Sequence, residues 1–103
     1  MSFQTEPSKC PVCVRDEYTM SLEYFSNWIW FHTDVFKWTP QVKRKYIKDL
    51  NTIQSLLPLP LIALVKEDNK KLAKFGESLG WKKEKEMIML NDGSKAYIYN
   101  WSK

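Results

Sequence analysis

Residues 39–65 read TPQVKRKYIKDLNTIQSLLPLPLIALV, and this stretch decides the architecture. Thr39 followed by Pro40 marks a helix start: the hydroxyl can accept from a free first-turn amide, and the proline ring occupies the first helical position, where no amide hydrogen is required. Val42, Tyr46, Leu50, Ile53 and Leu57 then fall on one stripe, which predicts a helix over residues 40–57 with that stripe against a sheet. Pro58 and Pro60 end it. Residues 59–65 form a short, wholly apolar segment, as expected of a buried parallel strand returning after a crossover. Its partner is residues 27–33, Asn-Trp-Ile-Trp-Phe-His-Thr, a nearly unbroken apolar run that predicts a central strand covered on both faces. The unit is strand, helix, strand, with a right-handed crossover.

Working outward, residues 18–24 alternate. Tyr18, Met20, Leu22 and Tyr24 lie on one side and Thr19, Ser21 and Glu23 on the other, which is a strand with one wet face. Ser26-Asn27 turns it into the central strand, and residues 12–15 form a short strand before it. Downstream, Asp68 or Asn69 caps a second helix whose inner side is Leu72, Ala73, Phe75 and Leu79, and Gly80 supplies a left-handed terminator. Trp81 then packs back. Residues 84–90 and 96–101 flank Asn91-Asp92-Gly93-Ser94, a closing hairpin. The expected fold class is α/β: a mixed, mostly antiparallel sheet with a central strand-helix-strand crossover and a C-terminal hairpin. Residues 1–9 read as a flexible tail and residues 10–103 as one domain.

The composition agrees with one small core. The chain has 103 residues, 44% hydrophobic and 15% aromatic, with five each of Trp, Tyr and Phe, which excludes a disordered polymer. No apolar run reaches the ~20 residues of a membrane span, and the start lacks a signal-peptide pattern, so a cytoplasmic, non-secreted protein is expected. Charge is uneven: residues 1–36 carry a net −3 and the remainder +7. A basic remainder suits an anionic partner or a plain solvated surface. Cys10 and Cys13 have no further Cys and only His32 as possible co-ligand, so no closed zinc site can be built within one chain, and none is expected. The two thiols read as reduced and structural, with a half-site shared across a dimer left open.

Candidate functional residues are few. Lys43, Arg44, Lys45 and Lys48 crowd the start of the first helix, against its dipole, where an anion or solvent would compensate. Trp38, Trp81 and Trp101 could stack on bases if exposed, so nucleic acid is a possible partner. His32 or Asp34 could act as a general base and Tyr97 or Tyr99 as an acid, each with a plainer reading as a packed sheet residue.

The order of elements, with Asn69, Phe75, Gly80 and Trp81 in place, resembles the C-terminal half of the GNAT acyl-CoA acetyltransferase fold over residues 27–101. More narrowly, Phe31-His32-Thr33-Asp34, Trp38 and the basic helix start Pro40 to Tyr46 resemble the small GNAT-related internal virion proteins of short-tailed bacteriophages. The resemblance implies a truncated GNAT-like fold, a location in a bacterial host or inside a virion, and Asn69 and Trp81 as binding positions beside Trp38, Lys43, Arg44, Lys45 and Lys48. Active members hold the diphosphate of coenzyme A in a glycine-rich loop ahead of the long helix. Here residues 36–44 contain no glycine, and Pro40 removes an amide. The expectation is therefore a non-catalytic, protein-binding component without a cofactor. A divergent acetyl-CoA-dependent N-acyltransferase and a basic nucleic-acid-binding module are the alternatives.

Overall fold

The computed structural model describes residues 9–101, which fold as β1 (Lys9–Val14), β2 (Tyr18–Phe25), β3 (Trp28–Val35), α1 (Pro40–Ser55), β4 (Leu61–Lys66), α2 (Lys70–Leu79), β5 (Lys82–Ile88) and β6 (Lys95–Trp101). All six strands join one sheet in the order β1-β2-β3-β4-β6-β5. Only the β3–β4 pair is parallel; β1–β2, β2–β3, β4–β6 and β5–β6 are antiparallel. The mixed α/β class, the crossover through α1 and the closing hairpin are as the sequence predicts. Of the expected tail, residues 1–8 lie outside the described residues, while Lys9 already pairs with Glu23 in β1.

Both helices pack on the same face. The core joins Val42, Tyr46 and Leu50 of α1 and Leu79 of α2 to Tyr18, Met20, Ile29, Phe31, Leu61, Val65, Tyr99 and Trp101 of the strands. The α1 stripe is the predicted one, but the helix ends at Ser55. Its last turn tightens, Leu56 and Leu57 donating to the carbonyls of Ile53 and Gln54, because Pro58 forbids another helical turn. Asn69, rather than Asp68, caps α2 through its side chain to the Leu72 amide, and Gly80 ends that helix at φ 115°.

Three expectations about burial are corrected. The central strand is not covered on both faces: Ile29 and Phe31 are buried, whereas Trp28 is exposed and Trp30 and His32 are half-buried on the face that no helix among the described residues covers. Its apolar run is continuous because both faces are aromatic. Leu64 of β4 is likewise exposed, so this strand is not wholly buried, and it starts at Leu61 rather than at residue 59. Tyr24 shares the inner face with Tyr18 and Met20 but stands 65% exposed, because the helices do not extend over the β2–β3 turn.

Candidate functional site

The strands β3 and β4 are paired only at Ile29 with Leu61 and Trp30 with Ile62. Beyond that point β3 stays on β2 as far as Val35 and β4 stays on β6 as far as Lys66, so each half-sheet keeps its own ladder while the two part as a wedge. A cavity of about 260 Å³ fills the opening. Neighbouring residues of a strand point to opposite faces, and the wedge therefore has two ends. On the helix side its wall is Phe31, Tyr46, Phe75, Trp81 and Tyr99; on the other side stand Ser21, His32 and Asp34, with Lys9 beyond them.

Among the candidate catalytic groups, His32 and Asp34 do line the wedge, and Tyr97 does not: its ring lies under the Lys83 ammonium at 4.1 Å. Tyr99 takes the place expected of Tyr97. Its hydroxyl donates to Glu77 Oε2 at 2.8 Å, and burial together with that carboxylate pushes its pKa up to about 12. The phenol is thus fully protonated at neutral pH and spends its proton on Glu77. His32 Nε2 lies 2.8 Å from Glu23 Oε1, a diagonal cross-strand pair that fixes the ring in a half-buried position. The wedge holds a positioned imidazole, an exposed carboxylate and an aromatic wall.

The start of α1 decides what else it holds. The Thr39 hydroxyl accepts from the Val42 amide at 3.1 Å, and Lys43 donates to the Thr39 carbonyl at 2.8 Å. Pro40 has no amide hydrogen, which leaves Gln41 with the one first-turn amide that has no partner among the described residues. Trp38 packs edge-on against Tyr46 at 5.4 Å and Phe75 at 4.9 Å between ring centroids, while Tyr46 and Phe75 lie 6.0 Å apart. These three rings pack together between α1 and α2, beside the helix start.

The basic cluster is divided. Lys45 Nζ pairs with Glu17 Oε1 at 3.0 Å, which holds the Glu17 carboxyl below the usual carboxylate range. Glu17 also accepts the amides of Phe36 and Lys37 through its carbonyl, so the anion that offsets the helix start comes from the chain itself. Lys43, Arg44 and Lys48 remain available on the outer side. Trp81 and Trp101 are 6% and 1% exposed, which removes them as stacking platforms for bases; Trp81 serves as cavity wall and Asn69 as a helix cap. Trp38, at 38% exposure, is the one predicted aromatic binding residue with an accessible face.

Sequence reasoning missed the centre that ties α1 to the sheet. Asp49 accepts from Arg15 at 2.6 and 3.0 Å, from the Tyr18 hydroxyl at 2.6 Å and from the Cys13 thiol at 3.4 Å. Arg15, then Tyr18 and Cys13, hold the Asp49 carboxyl below its ordinary range, while burial and the neighbouring Asp49 push the Cys13 thiol up. The thiols are free, Cys10 exposed and Cys13 half-buried. No group of three or more His, Cys, Asp or Glu among the described residues is arranged to hold a metal ion.

No family model and no curated protein matches the sequence. Among solved structures, the chain is similar to one assigned to the GnaT acetyltransferase family from Bordetella pertussis, with a TM-score of 0.60 and 12% identity over 84% of this chain. A second, assigned as an acetyltransferase from Sphaerobacter thermophilus, gives a TM-score of 0.47 at 12% identity, covering 86% of this chain and 62% of that one. The chain spans 57% of the length of the Bordetella protein. Likeness at this identity concerns the fold alone, and on that ground the chain is a GNAT-like α/β domain.

Proposed function

We propose that this chain is a non-catalytic GNAT-like domain that works as a protein-binding component, in a phage virion or in contact with a host protein. The observation that carries the reading is the start of α1. Coenzyme A needs several unpartnered amides and close backbone approach at such a helix. Here one amide is free, the neighbouring ones are satisfied by Thr39, and Trp38 with Tyr46 and Phe75 fills the approach. The exposed side of Trp38 and the outer side of α1, which carries Lys43, Arg44 and Lys48, are the contact surfaces we assign, since Trp and Arg are the residues that anchor interfaces. The virion setting rests on the resemblance of residues 31–34 and 38–46 alone.

A second reading, a divergent N-acyltransferase, is favoured by one observation: the wedge is open and presents His32 and Tyr99 from opposite sides. Titration calorimetry with acetyl-CoA separates the two. The proposal expects no binding tighter than about 1 mM, whereas a Kd of a few micromolar, roughly −7 to −8 kcal/mol, would overturn it.

A further inference from the structure

The end of the molecule away from the wedge carries a second surface. The register places Tyr24 beside Ile29 and Ile29 beside Leu61, so the β2–β3 turn and the α1–β4 loop emerge side by side. Together they expose Tyr24 (65%), Phe25 (63%), Trp28 (42%), Leu56 (77%) and Leu59 (36%). Neither run contains a charge: residues 24–33 and 50–65 hold no Asp, Glu, Lys or Arg. That is unusual in a chain with 28 such residues among 103, since charged side chains normally keep loops wet.

Both tips are held rather than loose. Ser26 and Asn27 sit at φ 57° and 66°, a tight hairpin turn, and the Trp30 indole donates to the Phe25 carbonyl at 3.2 Å. Gln54 straps the other loop, donating to the Leu59 carbonyl at 2.9 Å and accepting from the Leu61 amide at 2.8 Å. The fold therefore presents these apolar side chains and cannot fold them back onto its core.

We propose that this end docks on the surface of a lipid bilayer, with the two tips entering the headgroup region. The tips are chain reversals that project outward, and the wedge cavity does not reach them. A contact between two copies would set tip against tip and bury little area. A bilayer interface takes an uncharged projection without a matching groove, and Trp and Tyr beside Leu and Phe is the composition found at that depth. Lys82, opposite Asn100 at the same end of the sheet, supplies positive charge toward anionic headgroups, whereas the Lys83 ammonium is turned back over the Tyr97 ring. No helix of the described residues is long and apolar enough to cross a membrane, so the contact is with the surface. This goes beyond the protein-binding reading and uses the opposite end of the molecule.

The test is co-sedimentation of the full chain with vesicles of phosphatidylcholine and phosphatidylglycerol, with tryptophan emission recorded, for the parent and for Phe25→Asp combined with Leu56→Asp. Both positions are well exposed, and circular dichroism confirms that the variant folds. The proposal expects the parent to bind, its emission to shift to the blue, binding to persist in about 0.5 M salt, where the Debye length falls to about 4 Å, and the variant to lose at least tenfold in partitioning. It is overturned if the parent stays in the supernatant, if the variant binds equally well, if salt abolishes binding, or if sedimentation equilibrium shows a dimer that the substitutions disperse.

Discussion

Asp49 shows how much of this fold hangs on one side chain. It sits off the apolar stripe of α1 and in sequence is an ordinary helical acid, yet it gathers Cys13, Arg15 and Tyr18 from the sheet. Asp49→Ala leaves these donors unpaired and should lower stability by about 1–3 kcal/mol, read as a reduced midpoint in urea with an unchanged slope. The pH dependence follows from its depressed pKa. A carboxyl held below its unfolded value adds stability above pH ~4 that is lost as pH falls through the folded value. Acid unfolding of the parent should therefore steepen below about pH 4, and Asp49→Asn should flatten that limb; an unchanged acid limb would remove Asp49 from the account. Lys45→Glu sets two carboxylates together at Glu17 and should lower the melting temperature, whereas Lys48→Glu should not. Partner binding is the readout for Lys48, and the differential melting curve of the pair checks the division of the basic cluster.

At the level of elements, what was legible in the sequence was whatever depends on local periodicity. The alternation of β2, the Val42-Tyr46-Leu50 stripe and the Thr39-Pro40 start lie where the pattern places them. What was not legible depends on which face of the sheet the helices cover. The Trp-Ile-Trp-Phe run of β3 looks doubly buried, because aromatic residues on an open face and on a buried one are identical in sequence. For the same reason the sequence left open whether Trp81 and Trp101 are exposed and which of Tyr97 and Tyr99 lines the opening; burial and register decide both. Lys45 is the instructive case at the candidate site: the acidic Asp16-Glu17 turn was a visible signal of a partner, but only the fold brings it beside α1. The glycines make a sharper test of α2. Gly80 has a positive φ and lies against Trp101, where a Cβ would stand 3.4 Å from the indole, so Gly80→Ala should cost about 1 kcal/mol or more. Gly76, inside the helix and in ordinary contact range of Trp81, should gain up to about 1 kcal/mol on change to Ala. Thermal unfolding of the two variants should move in opposite directions.

At the scale of the whole molecule, the proposed non-catalytic role joins an open sheet wedge to a helix start crowded by side chains. The sheet opens between β3 and β4, and the opening leads from an aromatic wall to His32 and Asp34. On the proposed reading, coenzyme A is refused by a few residues at one helix end, where Trp38, Thr39 and Pro40 stand in place of the bare backbone that a diphosphate needs. The measurement that tests this most directly is a ¹H–¹⁵N correlation spectrum of the chain titrated with acetyl-CoA, following the amides of Gln41, Val42 and Lys43. The account predicts that these three peaks stay in place up to millimolar ligand. Saturable shifts at those amides, at micromolar concentration, would show a diphosphate seated at the helix start and contradict it.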